Sequence, residues 1–195
     1  PQWGAMGGPV LGVATASGRS DYSSSLKGAL HRALREQRAK RVRQIMETAV
    51  EFSPRRRKDL DVIFLLANQP ADARSIKPLI AFHYAGNLPV YASSHIYSGA
   101  PDPQRDADLN GIRLVETPWS LGGAIVAGTA TDPSLGRLQA LGADAFLLHW
   151  RLLQLEQGTR PLVRGYSGIL STGSDNRIHR ELTPVIIRDG VLEAL

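Results

Sequence analysis

Side chains able to do chemistry are few in this sequence, and they are dispersed. Residues 165–168, Gly-Tyr-Ser-Gly, set a serine between glycines, but the G-x-S-x-G spacing of a nucleophile elbow is missing and the segment reads as β. The five histidines, His31, His83, His95, His149 and His179, form no H-x-x-x-H or H-E-x-x-H pair that would aim two ligands from one helix face. Carboxylates pair at Asp59/Asp61 and Asp106/Asp108, a spacing that implies no acid–base partner. Asp106, Asp108, Asn110 and Gly111 open like a calcium loop, D-x-D-x-N-G. The twelfth position is then Thr117 where a bidentate Glu is needed, and the eighth is Arg113 where an apolar residue belongs, so a helical turn ending at Gly111 is the simpler reading. The glycines of 4–8 precede an apolar segment and lack a following Lys-Ser/Thr pair, which excludes a phosphate loop. There is no cysteine, hence no disulfide, thiolate nucleophile or thiolate zinc ligand. These residues specify no enzyme, no metal and no cofactor.

The elements that would position any site are organised around residues 58–99, which read as one complete strand, helix, strand unit. Val62 to Leu66 is a short continuous apolar run, as expected of a strand buried on both faces of a parallel sheet. Asn68-Gln69-Pro70 breaks it, and Asp72 is suited to cap the helix that follows. Ile76, Leu79, Ile80 and His83 recur at helical spacing, Pro78 should kink the helix and Gly86 should stop it. A second strand over 88–92 puts Ser93 and Ser94 at its carboxyl end, where open α/β sheets place ligands.

Upstream, residues 9–15 read as a strand weakened by Gly12, and 26–49 as one long amphipathic helix preceded by the caps Asp21 and its neighbouring serines. Downstream, 112–116 alternates as a strand that Thr117-Pro118 stops at Trp119, a residue that lines a cleft or anchors a packed linker. Residues 121–131 give no firm signal. A helical pattern runs over 134–157 through Leu135, Leu138, Leu141, Ala145, Leu148, Leu152 and Leu155, and Asp144 inside it needs a partner if buried. The end turns to β: 166–171, a turn at 173–176, a strand over 177–187, and a second turn at Asp189-Gly190.

At 195 residues and 43% hydrophobic side chains the chain can bury one sizeable core, and no apolar run reaches the roughly 18 residues of a membrane span. The net charge of +5 is unevenly placed: residues 1–58 hold 12 Lys+Arg against 4 Asp+Glu, and the remainder 11 against 14. Arg35 and Arg38 on the long helix and the run Arg55-Arg56-Arg57 before the strand are therefore the candidate partner-binding residues, since guanidinium forks bind planar oxyanions. No aromatic residues are interleaved to stack bases, which argues against nucleic acid.

Three stretches carry a family likeness: 54–94, with its basic triplet before D-x-D and its IKP and YASS signatures; 109–119; and 138–155, with LGADA, followed by 165–190. In that order they resemble the C-terminal domain of the LppC/YraM family, the lipoprotein activators of penicillin-binding proteins. The resemblance implies an α/β fold of the type I periplasmic-binding-protein kind, a parallel sheet flanked by helices with a C-terminal β-hairpin. Two lobes need on the order of 300 residues, so one lobe plus part of the second is expected. The division that follows is an α/β lobe over 1–118, a hinge-crossing segment and helix over 119–163 that belongs to the other lobe or is repacked, and a β segment returning to the first lobe over 164–195. The chain lacks the lipidated cysteine and the helical N-terminal domain, and reads as trimmed.

What the resemblance implies functionally is a non-enzymatic periplasmic regulator, held on the inner leaflet of the outer membrane by a lipid anchor absent from this chain. Its implied partner is a class A penicillin-binding protein, with peptidoglycan a further one; a homodimer of the fragment would cover the Leu-rich helix of 134–157. The alternative is a small-ligand receptor whose cleft is lined by Ser93, Ser94 and Trp119.

Overall fold

The computed structural model describes residues 7–18, 21–30, 32–46, 58–122, 132–157, 162–175 and 177–195. In chain order the elements are α1 (Tyr22–Ala29), α2 (Arg32–Met46), β1 (Ile63–Leu65), α3 (Pro70–Phe82), β2 (Val90–Ala92), β3 (Arg113–Glu116), α4 (Gly136–Gln157), β4 (Leu162–Arg164), β5 (Ile169–Thr172), β6 (Ile178–Glu181), β7 (Thr183–Arg188) and β8 (Val191–Ala194).

The unit over 58–99 forms as expected. β1 and β2 run parallel with Ile63 opposite Val90, and α3 crosses between them. Pro70 starts α3 because a first-turn residue needs no N–H partner and proline's fixed φ suits the helix. Gln69 holds the N-cap position, and Asp72 lies in the first turn, where its carboxylate accepts the Tyr22 hydroxyl at 2.9 Å instead of capping. The helix continues through Pro78 and ends at His83, three residues before Gly86. Tyr84 takes φ 63°, its N–H bonds to the Ala81 carbonyl and the Ala85 N–H to the Ile80 carbonyl, a Schellman closure made without glycine.

β3 joins β2 in parallel, and β7 and β8 add as an antiparallel hairpin, giving the order β1-β2-β3-β7-β8. This is the parallel sheet with a C-terminal hairpin that the sequence implies. Asp189 (φ 49°) and Gly190 (φ 73°) make the hairpin turn, and a Cβ on Gly190 would come within 2.5 Å of the Pro103 Cα, so only glycine fits. Ile80, Ile96, Leu109, Ile112, Val185 and Ile187 are fully buried between the sheet and α3, each contributing about 2 kcal/mol by removal from water.

Only one face of the sheet is covered among the described residues. Phe64 is 54% exposed and Leu66 83%, with Tyr91 and Val115 beside them, so the expectation of a strand buried on both faces does not hold. β1 is an edge strand, and α1 and α3 cover the face of Leu65 and Val90 only.

Three further expectations are corrected. Residues 9–15 form no strand: Gly12 lies against α1, 3.3 Å separating its Cβ position from the Ala29 carbonyl oxygen, so the segment docks on a helix and not on a sheet edge. The single helix over 26–49 is two, because Leu30 leaves the helical conformation (ψ 4°) to enter the core; Val42 and Ile45 of α2 stay exposed. The strand over 177–187 is also two. β6 belongs to a separate antiparallel sheet, β4-β5-β6, and Leu182 alone separates it from β7 in the larger sheet. β4 itself had no counterpart in the sequence reading.

Candidate functional site

Strand register places a charge inward at the end of β3. Leu114 and Glu116 alternate onto the covered face, and Glu116 is 1% exposed. A carboxylate there needs compensation, and α4 supplies it. Arg137 Nε lies 3.0 Å from both Glu116 oxygens, and its Nη2 donates to Glu116 Oε2, to the Ser94 carbonyl at 2.7 Å and to the Tyr97 carbonyl at 3.3 Å. Glu116 Oε1 also accepts the Thr117 N–H at 2.8 Å. One guanidinium from α4 thus occupies the carboxyl ends of β2 and β3, the position where open α/β sheets bind ligands.

Beside it lies a second pair. Arg74 Nε donates to Asp106 Oδ1 at 2.8 Å, and Asp106 is fully buried with no hydrogen-bond partner for its Oδ2 among the described residues. Asp106 is therefore held in an ion pair next to the helical turn Ala107–Leu109, which ends before Gly111 (φ 81°) as the sequence suggested. Burial, then the charges of Asp106 and Glu116, push the Tyr97 phenol up to about 12 against the opposing Arg137 guanidinium.

A raised phenol affinity for its proton stabilises the fold below the unfolded value near 10, and that stability is lost as pH rises toward 12. The Tyr97→Phe variant is accordingly expected to lose about 2 kcal/mol less than the wild type between pH 9.5 and 12. Urea titrations across that range check this; parallel pH profiles for the two proteins would refute it.

Further along α4, Asp144 is 1% exposed and has the partners its burial requires. Its Oδ1 accepts the Tyr166 N–H at 2.6 Å, and its Oδ2 accepts the Ser167 N–H at 2.8 Å and the Ser167 hydroxyl at 2.5 Å. A Cβ on Gly165 would stand 2.6 Å from both carboxylate oxygens, which explains the glycine. Residues 165–168 are therefore a carboxylate cradle, and Ser167 is occupied structurally.

Arg137, Ala140 and Asp144 share the inward stripe of α4, and Leu147 and Leu148 pack on Val163 and Leu170 of the small sheet. Of the apolar stripe read in the sequence, Leu148 packs inward while Leu135, Leu138, Leu141 and Leu152 face out, together with Phe146 and Trp150. The inward face is set by two charge contacts, a small residue and the pair Leu147 and Leu148.

Of the candidate cleft residues, Ser94 and Trp119 converge on the start of α4. Ser94 gives its carbonyl to Arg137, and the Trp119 indole lies 3.3 Å from the Cβ position of Gly136, edge-on to Tyr166 with centroids 5.7 Å apart. The Trp119 backbone N–H donates to the Tyr166 carbonyl at 3.1 Å. Ser93 turns away, donating its hydroxyl to the Ala67 carbonyl at 3.2 Å. Among the basic candidates, Arg35 and Arg38 belong to α2, with Arg38 exposed, while Arg55, Arg56 and Arg57 lie outside the described residues.

One hydroxyl–imidazole contact escaped the sequence reading. Ser23 Oγ is 3.1 Å from Nε2 of the buried His83, a bond between α1 and α3 that, with Tyr22 on Asp72, fastens the two helices. Among the described residues no group of three His, Cys, Asp or Glu could hold a metal, and no helix is long and apolar enough to cross a membrane.

Residues 2–190 match the family described as "LppC putative lipoprotein". The penicillin-binding protein activator LpoA of Dickeya chrysanthemi is 32% identical over 142 residues, 69% of this chain and 20% of that protein. The chain thus spans about a fifth of the length of the curated relatives it matches. Full-length LpoA from Haemophilus influenzae superposes with a TM-score of 0.60 at 24% identity, over 71% of this chain and 27% of the other. A Chromobacterium violaceum structure described as a "putative branched-chain amino acid ABC transporter" follows at 0.50 and 27% identity, over 65% and 42%. With the sheet order, the helix crossover and the terminal hairpin in place, the fold is periplasmic-binding-protein-like, and the chain belongs to the LppC lipoprotein family.

Proposed function

We propose that the chain is a protein-binding module of a periplasmic regulator that contacts and activates a class A penicillin-binding protein, and that it performs no chemistry of its own. The observation that carries this is the LppC match over residues 2–190, joined to relatives named as penicillin-binding protein activators. The contents of the strand-end position add support. In a small-ligand receptor that position is kept open, whereas here the Arg137 guanidinium sits on Glu116 and the Ser94 carbonyl. In the full-length protein the module works in the periplasm, carried on a lipid anchor in the inner leaflet of the outer membrane, and its basic residues, Arg38 among them, contribute to the contact.

Titration of a purified class A penicillin-binding protein with this chain, at low and moderate salt, tests the reading. Saturable binding is expected, weakened severalfold when Arg55, Arg56 and Arg57 are changed to Glu. Absence of binding by folded protein at both salts would overturn it in favour of the small-ligand receptor lined by Ser93, Ser94 and Trp119.

A further inference from the structure

The outer side of α4 meets solvent without a charge. From Leu138 to Trp150 the sequence holds no lysine or arginine, and its one carboxylate, Asp144, points inward. Yet Leu138 is 65% exposed, Leu141 52% and Leu152 44%, and Ala145 and His149 between them are exposed as well. α2 of the same chain shows the ordinary pattern of a solvated helix, with Arg38, Lys40 and Arg41 exposed. An apolar stripe bare of charge marks a face that something covers.

The spacing of the stripe points to what covers it. Leu138, Leu141, Ala145, His149 and Leu152 follow at intervals of 3, 4, 4 and 3 residues, so they share one face, and the pattern reads the same in both directions about Ala145. A two-fold interface has to be complementary to itself, residue i meeting j and j meeting i. Two copies of α4 laid antiparallel across an axis at Ala145 bring Leu138 onto the partner's Leu152 and Leu141 onto the partner's His149. The smallest side chain of the stripe then sits at the crossing, where it lets the helices approach closely. Phe146, 70% exposed, flanks the stripe, and with it the apolar area on offer is on the order of 500 Å² per copy, or about 1,000 Å² for the pair, the lower bound of a specific interface.

We propose that this face pairs with its own counterpart on a second copy of the chain, α4 antiparallel to α4 about a two-fold axis at Ala145, in a reversible dimer. The inference does not depend on the activator reading.

Sedimentation velocity across the micromolar range tests it, on the wild type and on variants at exposed positions whose fold is checked by circular dichroism. The wild type is expected to pass from monomer to dimer as concentration rises. Ala145→Glu sets two carboxylates on the axis and is expected to raise the dissociation constant about tenfold or more, while Phe82→Glu, the same charge on an equally exposed residue of α3, leaves it within about twofold. Register is tested by charge. Leu138→Lys and Leu152→Glu should each weaken the dimer, and the double variant Leu138→Lys/Leu152→Glu should regain it, because each introduced lysine then faces an introduced glutamate across the axis. Failure of the double variant to recover overturns the antiparallel pairing. A wild type that stays monomeric throughout, or a dimer indifferent to Ala145→Glu, overturns the second copy and leaves the face to another occupant, such as further chain of the kind the longer relatives carry.

Discussion

The Arg137→Met variant is expected to unfold with about 3 kcal/mol less free energy than the wild type, because it leaves Glu116 buried without its counter-charge. Methionine keeps much of the volume of the arginine stem, so the loss reports the charge and not a cavity. Among the described residues Glu116 would retain the Thr117 N–H alone as a donor, and the Ser94 and Tyr97 carbonyls would lose the Arg137 guanidinium. The sign of the effect is made diagnostic by a double variant. Glu116→Leu/Arg137→Met removes both charges and should be more stable than Arg137→Met alone, since a buried pair costs far less to replace than to break. Urea unfolding followed by tryptophan fluorescence, with Trp119 beside Gly136 as the nearest reporter, measures both. A loss under about 1 kcal/mol for the single variant would show that the pair is solvated in solution.

Asp144→Ala is expected to cost a similar amount, about 3 kcal/mol, through a different mechanism. Its carboxylate receives three donors, and removing it leaves the Tyr166 and Ser167 N–H groups and the Ser167 hydroxyl to find water in a buried site. Asp144→Asn keeps an acceptor for one amide but turns its NH2 toward donors, so it should recover only part of the loss. Gly165 provides an internal control. Gly165→Ala collides with the carboxylate in the wild type, and its penalty should shrink in the Asp144→Ala background, where the obstructing oxygens are gone. Additive penalties in that cycle would rule out the cradle.

What could be read in advance follows the distance over which each interaction acts. The 58–99 unit is local: a short apolar run, a proline at the first helical position and a strand within reach, and the structure keeps all three. The Asp189-Gly190 turn is equally local. Asp144 was legible as a condition, a charge within an otherwise apolar helical pattern, though its partners 22 and 23 residues on were not. Glu116 carried the same signal in strand form, an inward charge after Leu114, whereas Arg137 carried none, being 21 residues away on another element. The exposed faces were read least well. Leucine spacing on α4 and apolar continuity in β1 record what a surface can bury, and the described residues bury Leu148 but leave Leu135, Leu138, Leu141 and Leu152 exposed, and cover one face of β1 only. A single residue, Leu182, between strands of two sheets is also silent in sequence, because the alternation continues across it.

That junction has a mechanical meaning. β6 and β7 are separated by one residue, and β7 lies against β3 in the middle of the larger sheet. A linker of that length has two backbone torsions and almost no slack. Any tilt of the small sheet must therefore be taken up by twist at Leu182 or passed as torque into β7. The same tilt would load α4, which is tied to β3 by Arg137 and to residues 166–167 by Asp144. The small sheet is thus joined to the larger one by a single-residue link at Leu182 and, by way of α4, through Arg137 on Glu116 and Asp144 on residues 166–167.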